Sequence, residues 1–413
     1  RLYSDSELPG SFATQWCPRE MFAAQSPAPF IEHQLGEETG LKEPELELSA
    51  LIRFFRNPAQ YFCQRVLQLD LRLDIDSQDN DEPFELSALQ RYQLQLLMMQ
   101  DALEDEHGEL DETLLDKLKA EGLLPMAPFD DLLLDQYRRD IAPAVERTRF
   151  LRAELPKPDA VEIALKLEVN GRELLLCGRI EDCYPKGLVN LRPGTTKPKD
   201  LLSLYIRHLC LNASGIHRYS YLLDAGHFHA MAPLKAESAK ALLGQLAALF
   251  ELGQHRPLPF MAQTSLAYFS AEVEDGLSVD TEHQLRLAEA ESAWLDDAGF
   301  GDGQDPHNAR LFRFPEDFGL TLDDSTHAGS AADFGLKAGE PKLNENELSE
   351  NELSEDEFTL SNMSTGLPGG WQLRLKQSLS FPALAQGILA PLISLYHKDK
   401  LAALADFTQM GQE

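Results

Sequence analysis

Residues 161–194, VEIALKLEVNGRELLLCGRIEDCYPKGLVNLRPG, decide the fold. Val161, Ile163, Leu165, Leu167 and Val169 alternate with Glu162, Lys166 and Glu168, the period of a strand with one buried face. Asn170-Gly171 is the strongest short-range hairpin signal. A return strand is expected over Glu173 to Ile180. The turn Tyr184-Pro185-Lys186-Gly187 then leads into a third strand, Leu188 to Arg192, ended by Pro193-Gly194. Three successive antiparallel strands make a meander.

Downstream, Asp200 is placed to cap an apolar helix, Leu201 to Leu211, before two strands at His217 to Leu223 and His227 to Met231 and a strongly apolar helix at Ala236 to Leu252. Upstream the chain is mainly helical. Ser49 can cap a helix through Phe55, Asn57-Pro58 interrupts it, and Ala59 to Cys63 resumes. Ser87 to Leu103 reads as a helix with Leu89, Tyr92, Leu96 and Leu97 on one face. Asp111 caps Leu114 to Ala120, and a helix from Asp130 to about Arg139 leads through Pro143 into Ala144 to Arg152. Helices, a meander, a helix, two strands and a helix imply an α/β (α+β) arrangement around one mixed sheet.

From Glu272 the periodic signal fades. Residues 271–360 hold 24 acidic against 5 basic side chains, a local −19 out of a total of −31. The tandem unit NELSE at 346–350 is repeated with the same spacing at 351–355. Residues 297–362 are therefore expected to be a largely mobile acidic insertion. A strand at Trp371 to Leu375 and a helix near Pro382 to Tyr396, kinked at Pro391, complete the reading. The organisation expected is an extended segment at 1–46, a helical region at 47–155, a core at 156–270 plus 368–413, and the acidic insertion at 271–367.

The net charge argues against a chain that coats DNA or anionic lipid over its whole surface. Cys17, Cys63, Cys177, Cys183 and Cys210 are odd in number and lack Cys-x-x-Cys spacing, which fits reduced cytosolic thiols. No apolar run of about 18 residues and no signal-peptide layout is present, so a cytoplasmic protein without membrane contact is expected. The chain begins at Arg1 in a stretch rich in Ser, Pro and Gly, as a piece of a longer protein would.

Gly178-Arg179-Ile180-Glu181-Asp182, followed by Leu188-Val189-Asn190-Leu191-Arg192-Pro193-Gly194, resembles the PD-(D/E)xK nuclease pattern of the RecB family. The resemblance implies a restriction-endonuclease-like sheet core. In that pattern one strand supplies Gly-x-x-Asp and the next Asp-x-Lys; alternate residues of a strand share a face, so the carboxylates hold Mg²⁺ and the Lys positions water. Here Glu181 stands at the first carboxylate, Asn190 at the second and Arg192 at the Lys. An amide is a weak ligand, and a guanidinium does not give up its proton, so the site reads as a pseudonuclease with no metal and no cofactor. Four further segments are similar to the C-terminal region of the RecC family, gamma subunits of exodeoxyribonuclease V. They are Ser49 to Phe62, Leu191 to Gly194, Lys199 to Leu202 and Arg256 to Phe260, in that order. Some relatives in the AddB branch hold an iron–sulfur cluster, but Asn57 occupies its early Cys position and no Cys follows Cys210.

That resemblance implies a non-catalytic subunit region of a RecBCD-type helicase–nuclease acting in double-strand-break repair by recombination. RecB-like and RecD-like subunits are its implied partners, and DNA is met within the complex. Candidate DNA contacts are Arg138, Arg139, Arg147, Arg149 and Arg152, although the interleaved Asp140, Glu146 and Glu154 favour an ion-paired helix surface there, and Lys197 and Lys199 in the loop after Gly194. Glu181 fits either a retained ligand or a solvated strand residue, and Asp182 is a poor substitute because one step along a strand reverses its face. Two alternatives remain: a Mg²⁺-dependent nuclease using Glu181 and another carboxylate, and an acidic adaptor acting through residues 297–362.

Overall fold

The alternating run builds the hairpin expected of it. Strand β2 (Asp159–Val169) pairs antiparallel with β3 (Arg172–Tyr184) from Val169↔Arg172 to Val161↔Ile180, and Asn170 and Gly171 turn the chain at φ 52° and 77°. The computed structural model describes residues 45–71, 86–104, 112–120, 124, 129–152, 158–272, 279–296, 300–313 and 380–410.

The second edge of β3 is shared. β1 (Glu45–Glu47) lies parallel to it at Leu175 to Cys177, and β4 (Gly187–Leu191) pairs antiparallel at Cys183 and Tyr184. Helix α6 (Pro198–Ala213) then crosses over so that β5 (Tyr219–Leu223) runs parallel to β4. β6 (His227–Met231) and β7 (Tyr396–Lys400) extend the sheet antiparallel, giving seven strands in a mixed sheet.

Helices cover both faces. On one face α1 (Leu48–Arg56), α6, α7 (Ala236–Gly253) and α11 (Phe381–Leu395) bury Phe54, Leu209, Leu243 and Ile388 against Ile163, Leu176, Ile180 and Leu188. On the other, α3 (Ala88–Glu104) and α5 (Phe129–Arg152) pack Met98 and Ile141 in one core with Tyr184, Val189, Tyr221 and Phe228. A third cluster joins Ala59 of α2 (Pro58–Tyr61) to Met261, Ala290, Trp294 and Phe312. It is built around α8 (Ala262–Ser270), α9 (Val279–Leu295) and α10 (Pro306–Leu311). Helices α4 (Glu112–Ala120) and α12 (Leu404–Met410) complete the described α-helices.

Several local expectations change. α1 starts one residue before Ser49, whose hydroxyl donates to Glu47 instead of capping, while Asn57 accepts from the Gln60 N–H and caps α2. Asp200 is the third residue of α6, not its cap; its carboxylate reaches back to the Lys197 N–H at 3.2 Å. α5 runs unbroken through Pro143. In α3 the buried apolar residues are Leu94, Met98, Met99 and Ala102, whereas Leu89 and Leu97 are 66 and 42 % exposed. Apolar residues occur at two helical offsets there, and packing selected between them. Of residues 297–362, the stretch 300–313 forms a 3₁₀ turn and α10. Asp111, Trp371 to Leu375 and residues 314–362 lie outside the described residues.

Gly187 opens β4 at φ 141°, and a Cβ there would lie 2.0 Å from the Tyr219 carbonyl oxygen on β5. Backbone cannot yield as a side-chain tip does. Gly187→Ala should therefore cost at least about 1–3 kcal/mol, read as a lowered chemical-denaturation midpoint with an unchanged slope.

Candidate functional site

The site is assembled where β3 ends, β4 ends and α6 begins. The β2–β3 register passes from Val161↔Ile180 to Asp159↔Cys183, so Glu181 and Asp182 together oppose Ala160 in a β-bulge, with Asp182 at φ 61°. Strand parity changes as a result. Ile180 faces the α6 core while Tyr184, an even number of residues on, packs in the α5 core. The rule that one step reverses a side chain's face therefore does not dispose of Asp182.

Glu181 points outward. Its side chain is 70 % exposed and lies 3.5 Å from the Arg179 Nε, which also faces Glu162 at 3.8 Å. Exposed pairs of this kind hold little energy. Asp182 is half-buried; burial pushes its carboxyl up, and Arg152 and Arg207 pull against that shift. Arg207, from the middle of α6, donates to the Asn190 Oδ1 at 3.3 Å. Burial lowers Arg207 from its ordinary range, with Asp182 opposing. A guanidinium therefore stands against the Asn190 amide.

Arg192 is committed elsewhere. It makes a close ion pair with Asp200, donates Nε to the Thr195 carbonyl at 2.8 Å, and sits over the Tyr92 ring at 5.3 Å from its centroid. The other Asp200 oxygen takes Arg56 from the end of α1 at 3.2 Å, and Arg56 also donates to the Ser203 hydroxyl at 3.1 Å. Lys197 precedes α6 with its Nζ 4.8 Å from the centroid of Phe300, and Lys199 is half-buried beside it. Burial lowers Lys199, and Arg56, Lys197 and Arg192 push the same way against Asp200. Among the described residues no three His, Cys, Asp or Glu side chains are placed to share a metal ion.

The loop behind this cluster is held by Asp224, 2 % exposed, which accepts from the N–H groups of Thr196, Gly226 and His227 and from His229. Most of the α5 arginines have partners within the chain. Arg149 and Arg152 donate to the Ala102 and Leu103 carbonyls at the end of α3, Arg152 also covers the Tyr184 ring, and Arg138 pairs with Asp135. Arg139 reaches the Asp135 carbonyl, and Arg147 is half-buried on the same helix. Sequence reasoning missed Arg56 and Arg207. Arg207 had a signal, a charge inside the apolar run Leu201 to Leu211.

The family model for the RecC C-terminal domain matches residues 43–273, more than half the chain and every element of this site except Phe300. The chain belongs to the RecC C-terminal domain family. It is 24 % identical over 311 residues to "RecBCD enzyme subunit RecC" of Escherichia coli (strain K12), covering 73 % of this chain and 26 % of that protein. The protein of the same name from Buchnera aphidicola subsp. Schizaphis graminum (strain Sg) is 26 % identical over 168 residues, 40 % of this chain and 15 % of its own length. This RecC-family chain thus spans about a quarter, or less, of the curated relatives it matches. No described helix is long and apolar enough to cross a membrane.

Proposed function

We propose that this chain is a catalytically silent region of a RecBCD-type subunit, acting in recombinational double-strand-break repair. Its nuclease-like sheet serves as a scaffold that docks RecB-like and RecD-like subunits and helps split or guide the DNA strands. The observation that carries the silent reading is the placement of Arg207 on Asn190 while Glu181 turns out to solvent. A fixed cation where Mg²⁺ would bind raises the electrostatic cost of holding that ion, and one half-buried carboxylate does not complete a ligand set. Family membership supports the subunit reading.

Incubation of the purified chain with labelled single- and double-stranded DNA and Mg²⁺ or Mn²⁺ should leave the DNA intact. Cleavage lost on Asp182→Ala or Glu181→Ala would replace this reading with an active nuclease. Co-expression with RecB-like and RecD-like subunits should yield a stable complex, and its absence would sink the docking role.

A further inference from the structure

We propose that β2 is the docking edge for a second copy of this chain, the two β2 strands pairing antiparallel about a two-fold axis at Ala164 and joining the two sheets into one. This edge lies across β3 from β1 and β4, and its pairing is independent of the subunit reading above.

A two-residue turn closes on a hydrogen-bonded pair, here Val169↔Arg172 around Asn170 and Gly171. Odd-numbered residues of β2 therefore bond to β3, and the N–H and C=O groups of Glu162, Ala164, Lys166 and Glu168 point the other way. The position of α7 agrees, since a Cβ on Gly244 would lie 3.2 Å from the Glu168 carbonyl oxygen. From 162 to 166, no backbone group of the described residues answers this edge. β2 is 11 residues long and has no proline. At the opposite edge of the sheet, β7 is only 5 residues long and carries Lys398, Asp399 and Lys400. Short charged strands blunt an edge, whereas a long unpaired one is a template for another strand.

The occupant follows from the side chains that flank the edge. Centred on Ala164, the two-fold register sets Glu162 of each copy opposite Lys166 of the other, and Ile163 opposite Leu165. Neighbouring registers lose this match. Centred on Leu165, Glu162 meets Glu168; centred on Lys166 or Glu162, that charge meets its own copy; centred on Ile163, Glu162 meets only Ala164. Like charges directly opposite destabilise a strand pair. The favoured register also falls on the residues whose backbone groups point outward, so the pairs 162/166, 164/164 and 166/162 exchange about six hydrogen bonds. Glu162 and Lys166 are mostly exposed, and their bonds to Arg179 and Glu173 leave room for a second partner. The same register brings the other copy's Ala160 and Val161 opposite Glu168 and Leu167, beside the groove between β2 and α7. That groove holds about 500 Å³ and is walled by Ala241, Gly244, Gln245 and Ala248. The Gln245 Oε1 is buried without a hydrogen bond, a polar atom left unmatched in the single copy.

Sedimentation equilibrium of the full chain over a range of concentration should show a monomer passing to a dimer of twice the mass. Hydrogen exchange should slow at the amides of Glu162, Ala164 and Lys166 in the dimer relative to the dilute monomer. Ala164→Pro removes an N–H that β3 does not use, so it should leave only monomer with a thermal melt like the parent's. Lys166→Glu sets like charges opposite at both ends of the register and should weaken the dimer at least about fivefold. Adding Glu162→Lys to that variant restores the opposition and should restore the dimer. The charge reversals also decide the matter should Ala164→Pro unfold. A parent that stays monomeric at its highest soluble concentration overturns the proposal, as does a dimer that neither Ala164→Pro nor Lys166→Glu weakens. Failure of the double variant to recover what Lys166→Glu lost overturns the Ala164 register. Protection of the three amides only on co-expression with RecB-like and RecD-like subunits would assign the edge to a strand of another subunit and remove the second copy.

Discussion

Phe54→Ala should lower the unfolding free energy by about 3–5 kcal/mol. Phe54 is fully buried and meets Phe55, Tyr61 and Phe250 edge to face, with ring centroids 5.1, 5.6 and 5.2 Å away. It ties α1 to α7 at the point where Gly253 has no side chain; a Cβ on Gly253 would sit 2.4 Å from the ring. Removing the ring loses its transfer energy and the three aromatic pairs. The space cannot close easily, because α1 is also held by Leu51 and Phe55 in the same core. Urea denaturation of parent and variant measures the difference. A loss under about 1 kcal/mol would mean that α1 is not seated as described. The same displacement would carry Arg56 out of the Asp200 cluster.

Asp224→Ala should be nearly as costly, about 3–5 kcal/mol. It strands the N–H groups of Thr196, Gly226 and His227, at 3.0, 2.9 and 2.7 Å, and leaves buried His229 without its 3.1 Å acceptor. His229 in turn meets the Tyr396 hydroxyl at 2.6 Å, so the damage spreads to β7. Burial by itself would raise the Asp224 carboxyl, but His229 and the three backbone donors outweigh it and hold the group well below the usual carboxylate range. The direction sets the pH dependence. With the folded pKa below the unfolded value of about 3.9, the stabilisation is complete above that pH and is lost progressively as pH falls beneath it. Measured against Asp224→Asn, which keeps the shape without the charge, the parent's advantage should be level from pH 7 to 5 and shrink below about 4. An advantage that instead grew on acidification would contradict the buried, donor-rich setting of Asp224.

Much of the fold was legible because its signals are local. The alternation at 161–169 and the Asn170-Gly171 turn are properties of neighbouring residues, and the β2–β3 ladder reproduces them. So are the helices at 48–56, 198–213 and 236–253, whose apolar periods match their buried faces. β1 and β7 were not legible. Glu45–Glu47 is too short to alternate, and in Tyr396–Lys400 four of five residues are exposed, so neither announces itself without the partner strand. The helices at 279–295 and 306–311 were hidden inside an acidic composition; Trp294 and Phe312 acquire their meaning only when Met261 and Phe381 come up against them.

The sequence by itself determined the meander, the mixed helix-and-sheet order and the spacing of Asn190 and Arg192 two residues apart at the end of the third strand, since each depends on residue identity along neighbouring positions. Tertiary structure decided the rest of the site. A bulge at Glu181 and Asp182 changed which side chain faces inward, and a crossover helix brought Arg207 to Asn190 and Asp200 to Arg56 across 144 residues. Strand parity and electrostatic neighbourhood are long-range quantities, set by which surfaces the core presses together.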